Sequence, residues 1–175
     1  MPRGELRRKD REMTGQESWA FIEKAFSGRL GTADAQGWPY VVPQLFITHE
    51  GRLYFHNTAA KGHTRSNIEA NPQVCFEVDE PGFVFPYGEK APCETSVSFE
   101  SVILFGTCHI VADRAEQIAF FERFMAKYAN PAWERPAVWP LLDATTVYEI
   151  TIERITGKRR PVVIAEQWQH LFPQL

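Results

Sequence analysis

Between Gly28 and Asn57 the chain reads GRLGTADAQGWPYVVPQLFITHEGRLYFHN, three strand-like runs separated by two short turns. The turns, Asp34 to Gly37 and His49 to Gly51, each carry the glycine such turns use. Runs joined this tightly can pair only antiparallel, because a parallel crossover needs a dozen or more residues. An antiparallel meander is therefore expected, and a doubly wound nucleotide-binding sheet is disfavoured.

The flanking segments extend the pattern. Thr14 and Glu17 form a capping box ahead of Trp19, Ile22, Ala25 and Phe26, which predicts a helix over 15–26. After the meander, KGHTRSNIEANP predicts a short polar helix that stops before Pro72. A strand is expected over Gln73 to Val78, followed by an irregular, functional loop from Asp79 to Thr95, rich in proline, glycine and aromatic residues. The run Ser96 to Val111 is long and β-rich, with Gly106 placed to make a bulge or bend. Asp113 and Glu116 repeat the capping signal before a helix whose apolar stripe is Ile118, Phe121, Phe124, Met125 and Tyr128. Finally, TVYEITIERITGK alternates, with Tyr148, Ile150 and Ile152 on one face, and predicts a half-exposed strand. Few helices around six antiparallel strands favour a small barrel, with a β-sandwich second. Residues 1–13 read as a solvated arm and 14–175 as one domain.

A length of 175 residues suffices for a core without disulfides or a structural metal. The formal charge of −3 argues against nucleic acid as a partner, and no apolar run approaches the roughly 20 residues needed to cross a bilayer. The three cysteines, Cys75, Cys93 and Cys108, form no paired spacing, and the five histidines are scattered, so a cytoplasmic chain without a metal site is expected.

One stretch carries a recipe for chemistry. Phe55-His56-Asn57 closes the third strand, and Lys61, Gly62, His63, Thr64 and Arg65 open the polar helix. A helix N-terminus presents unpaired N–H groups and the positive end of a dipole, which suits a phosphate. Taken alone, the same residues also fit a capped, solvated surface helix. Upstream, Pro43 interrupts the apolar strand Val42-Pro43-Gln44-Leu45. Proline donates nothing to a ladder, so this strand is an edge or has broken pairing, either leaving backbone groups free for a flat ligand or simply marking an edge.

The runs GRLGTADAQGWPYVVPQLF, YFHN, KGHTRSNIEANPQVCFEVD, SVSFESVILFGTCHIVAD and TTVYEITIERITGK resemble the flavin-binding split-barrel proteins related to pyridoxamine 5′-phosphate oxidase. Within that group the chain is most similar to the nitroimidazole-resistance type. The resemblance covers about residues 6–165, and its most specific parts are G-H-x-x-x-N-x-x-x-N-P from Gly62, which includes Asn67, and S-V-[IV]-x-F-G from Ser101.

The resemblance implies a six-stranded Greek-key split barrel of FMN-binding type, a homodimer with cofactor clefts at the subunit interface, and a small-molecule acceptor. By position in the motifs, His63 and Thr64 would hold the FMN phosphate. Val42, Pro43, Gln44 and Leu45 would line the ring through backbone groups, and Ser101 and Val102 would approach from the partner chain. His56 would face the flavin as the catalytic residue, with Asn57 beside it. Relatives commonly carry lysine at the position of Thr64, so neutralising the phosphate would fall to Lys61, Arg65 or His63. Trp38, Phe83, Phe85 and Trp139 are candidate walls for a nitroaromatic acceptor. Some relatives bind haem or a deazaflavin instead, and a non-catalytic flavin or haem binder is the rival reading. A pyridoxamine 5′-phosphate oxidase proper is disfavoured, because Arg159, Arg160 and Trp168 do not make the Arg-x-Trp signature.

Overall fold

The structure, a computed structural model, describes residues 4–90 and 93–174. In chain order the main elements are β1 (Glu12–Met13), α1 (Gly15–Lys24), β2 (Gly28–Ala33), β3 (Pro39–Gln44), β4 (Phe46–His49) and β5 (Arg52–Thr58). There follow α2 (His63–Ala70), β6 (Gln73–Pro86), β7 (Thr95–Ile110), α3 (Arg114–Tyr128) and β8 (Thr145–Arg160). The expected mostly-β fold with flanking helices is what forms. It has eight strands among the described residues rather than six, because β1 adds a two-residue stub and the chain breaks at Leu45 to give separate β3 and β4.

All pairings are antiparallel, in the order β3-β2-β6-β7-β8-β5-β4, with β1 on β8. The two ends of that order, β3 and β4, are neighbours in the chain with Leu45 alone between them. A sheet whose outermost strands are joined by one residue must curl until its edges meet. Those edges do not bond to each other, so the result is a barrel with an open seam. The phenol of Tyr128 on α3 bridges that seam, accepting from the Phe46 N–H at 3.0 Å and lying 2.6 Å from the Phe46 carbonyl and 2.8 Å from that of Phe26.

Local chemistry explains the elements. Thr14 and Glu17 cap α1 reciprocally, as the sequence predicts, and the helix ends at Lys24 where Ala25 turns extended. Glu50 and Gly51 both adopt positive φ, 49° and 75°, the mirror-image turn that a tight hairpin between β4 and β5 requires. Gly106 sits at a register shift between β7 and β8, and a Cβ there would lie 2.2 Å from the Thr151 carbonyl oxygen, so only glycine admits the partner strand. The expected bulge is thus present.

Alternation sorts the side chains into two cores. Leu30, Phe46, Leu53, Phe55, Phe76, Leu104, Tyr148 and Ile150 fill the barrel, while Ile47, Tyr54, Val147 and Phe120 pack outside it beneath α3. The fully buried residue of α3 is Phe120, which the predicted stripe omits; Phe121, Phe124 and Tyr128 pack beside it.

Two expectations are corrected. The segment from Asp79 is not an irregular loop: β6 continues to Pro86, paired with β7 from Thr95. A shift between Pro81 and Val84 absorbs the proline, and Ser98 Oγ accepts the Phe83 N–H at 2.8 Å in place of a ladder bond. The first half of β8 is not half-exposed either, since α3 covers its outer face and Thr146 to Ile150 are all buried. Among the described residues no helix is long and apolar enough to cross a membrane.

Candidate functional site

A cleft of about 310 Å³ opens between β3 and the start of α2, floored by Asn57 of β5 and Tyr148 of β8. Its upper wall is the N-terminus of α2. Gly62 occupies the N-cap position and no side chain caps the helix, so the first-turn N–H groups are left to whatever enters the cleft. The His63 ring lies against Tyr40 of β3, with centroids 5.3 Å apart. The opposite wall is β3 itself, an end strand bonded only to β2. Its outer backbone edge is therefore free, and Pro43, opposite Arg29 in the register, occupies the edge position that its lack of an N–H allows.

Arg65 is the cation lining the cleft, and Glu69 beside it joins it to Lys61. Glu69 holds Lys61 Nζ at 2.5 Å and Arg65 Nε at 2.8 Å, and these two hydrogen bonds keep its carboxyl below the usual range. Arg65 also donates to the Ala59 carbonyl at 3.0 Å, tying the helix to the end of β5. Two cations against one carboxylate leave a net positive opening.

The remaining expected residues divide by placement. Gln44 and Asn57 meet in the cleft, Nε2 of the one donating to Oδ1 of the other at 3.1 Å. Val42 lines it too, while Leu45 forms the joint between β3 and β4. Thr64 is buried at the helix start, and Asn67 serves as an anchor, its Nδ2 donating to Thr32 Oγ1 of β2 at 3.0 Å.

Other expected residues are not brought here. His56 alternates with Phe55 and Asn57, so it points to the opposite face of β5, among Phe120, Phe121 and Phe124 of α3 at ring distances of 5.6, 5.4 and 4.9 Å. Burial lowers its pKa, and its Nδ1 has no hydrogen-bond partner. Ser101 and Val102 lie mid-strand on β7, Ser101 Oγ 3.5 Å from Glu77 and Val102 fully buried in the core, so the chain does not present them to this cleft. Of the candidate walls, Phe85 is a core residue and the Trp139 ring lies tilted against Phe121 of α3; Trp38 and Phe83 are exposed.

The reading from sequence missed Tyr148 and Glu69. Tyr148 fell on the inward face of a strand pattern, where a phenol reads the same as any aromatic, and Glu69 looked like one more polar residue of a surface helix. Taken together, free amides, a positive opening and a free strand edge can accept an anionic tail attached to a flat ring.

A family model described as pyridoxamine 5′-phosphate oxidase matches residues 14–159. No protein of curated function matches the chain. Among solved structures, a candidate 5-nitroimidazole antibiotic resistance protein from Bacteroides thetaiotaomicron is similar at 23% identity, with a TM-score of 0.72 over 85% of this chain and 86% of that one. The flavocytochrome Anf3 from Azotobacter vinelandii is similar at 22% identity and TM-score 0.79, over 100% of this chain and 82% of that one. An FAD- and haem-binding protein from Mycobacterium smegmatis shows 19% identity and TM-score 0.72, over 94% and 80%.

Proposed function

Because the chain belongs to the pyridoxamine 5′-phosphate oxidase family, we propose that it is an FMN-dependent oxidoreductase that reduces a small planar acceptor, a nitroaromatic or nitroimidazole. The observation that carries this reading is the uncapped start of α2 facing the free edge of β3 across one cleft. The likeness to a candidate nitroimidazole-resistance protein supports the acceptor class.

In this reading the amides of His63, Thr64 and Arg65 receive the phosphate, with Lys61 and Arg65 supplying positive charge. The free backbone edge at Val41 and Pro43 would line the ring, and the hydrogen-bonded Gln44–Asn57 pair would offer the cleft a fixed polar group. Bound FMN would supply the two-electron chemistry, while the protein contributes orientation and exclusion of water. The residues are asked for no proton transfer here, since His56 lies on the other face of the sheet. A second copy of the chain would close the open side of the cleft, where Trp38 and Val41 stand exposed, and would bring in its own Ser101 and Val102. The three free cysteines support a reducing, cytoplasmic setting.

The test is spectral and then kinetic. Purified protein is expected to carry or take up FMN, to be reduced by a nicotinamide donor under anaerobic conditions, and to be reoxidised by a nitroimidazole. Flavin uptake without reoxidation by any nitroaromatic would leave a binder. The likeness to a flavocytochrome favours haem as the second reading, with His63 the one histidine among the described residues lining the cleft. A Soret band in place of flavin bands would select it.

A further inference from the structure

Tyr148 is fully buried, yet its hydroxyl has no hydrogen-bond partner. Thr146 stands near without meeting hydrogen-bond geometry, and the groups that act electrostatically on the hydroxyl are Arg65 and Glu69 of α2 and Cys108 of β7. A buried hydroxyl without a partner costs on the order of 1–3 kcal/mol. Such groups are rare in folded proteins and call for a specific cause.

The cause is visible in its position. The ring stacks on Phe55 with centroids 4.8 Å apart and planes 7° from parallel, so the phenol is held in one orientation. From there it lines the same cleft as the uncapped start of α2. We infer that the Tyr148 hydroxyl is a binding donor for the ligand's phosphate, completing the set of donors that the α2 amides present. This assignment rests on the FMN reading and adds a residue to it. Burial raises the phenol's pKa, so it keeps its proton and remains a donor at neutral pH.

The hydroxyl exists for the ligand rather than for the fold, and this sets the expected outcome. In Tyr148→Phe the apoprotein should melt at the wild-type temperature or above, while FMN binds about tenfold more weakly, as for loss of one charge-assisted donor. Riboflavin, which lacks the phosphate, should bind both proteins alike. In the wild type, a ¹³C label at the tyrosine Cζ should report a shift of the Tyr148 signal on addition of FMN and none with riboflavin, a readout that needs no variant. Equal FMN affinity of variant and wild type, a lowered apoprotein melting temperature, or a Tyr148 signal indifferent to FMN would each overturn the assignment alone. Failure of wild-type protein to bind FMN at all would overturn it together with the function on which it rests.

Discussion

His56 shows how a single residue's placement converts into a measurable dependence. In the unfolded chain an imidazole takes up a proton near its ordinary value of 6.5, whereas His56 resists protonation to lower pH because three phenylalanine rings exclude water from it. Between those two values only the unfolded chain binds the proton, so stability is full above about pH 6.5 and is lost as pH falls through the folded pKa. His56→Phe removes both the proton site and the unpartnered Nδ1. Its melting temperature should match or exceed wild type at pH 7, by up to about 1 kcal/mol or 2–4 °C, and the gap should widen towards pH 5. A gap that stays constant with pH would contradict this. The sequence placed His56 at the end of a strand correctly but not on the right face, because the face is decided by α3, whose packing no local pattern reveals.

At the scale of elements, the bounds of α2 were legible: its start after Gly62 and its stop before Pro72 follow from local sequence. What the sequence hid is that Lys61 and Arg65 are shared with Glu69. Neutralising that carboxylate frees both cations. Glu69→Gln should therefore tighten FMN binding about fivefold at low ionic strength, with the gain fading as salt rises and with riboflavin unaffected; fluorescence titration would measure it. Weaker binding would mean that Glu69 positions the cations instead of competing for them. The β6–β7 hairpin is the opposite case. Its prolines and glycine mimic a loop, and the strand survives because Ser98 supplies from the side what the ladder cannot.

For the whole molecule, the barrel was readable from the meander's short turns and the alternating runs, since few topologies satisfy both. A homodimer came from the family resemblance alone, because no local pattern of residues marks which exposed surface a second copy would cover. If a second copy closes each cleft, light scattering should give twice the chain's mass, and flavin should be released on dilution in step with the dimer, as sedimentation followed at the flavin band would show. Monomeric protein that keeps its flavin would refute the shared cleft.

The single-residue joint between β3 and β4 separates connectivity from cohesion. Were the backbone severed at Leu45, every ladder would stay intact: β2 would still grip β6, and β1 would still grip β8, across the break. One wall of the cleft would then belong to the shorter fragment and the helix opposite to the longer, so that a ligand lying between them would itself help hold the two pieces together.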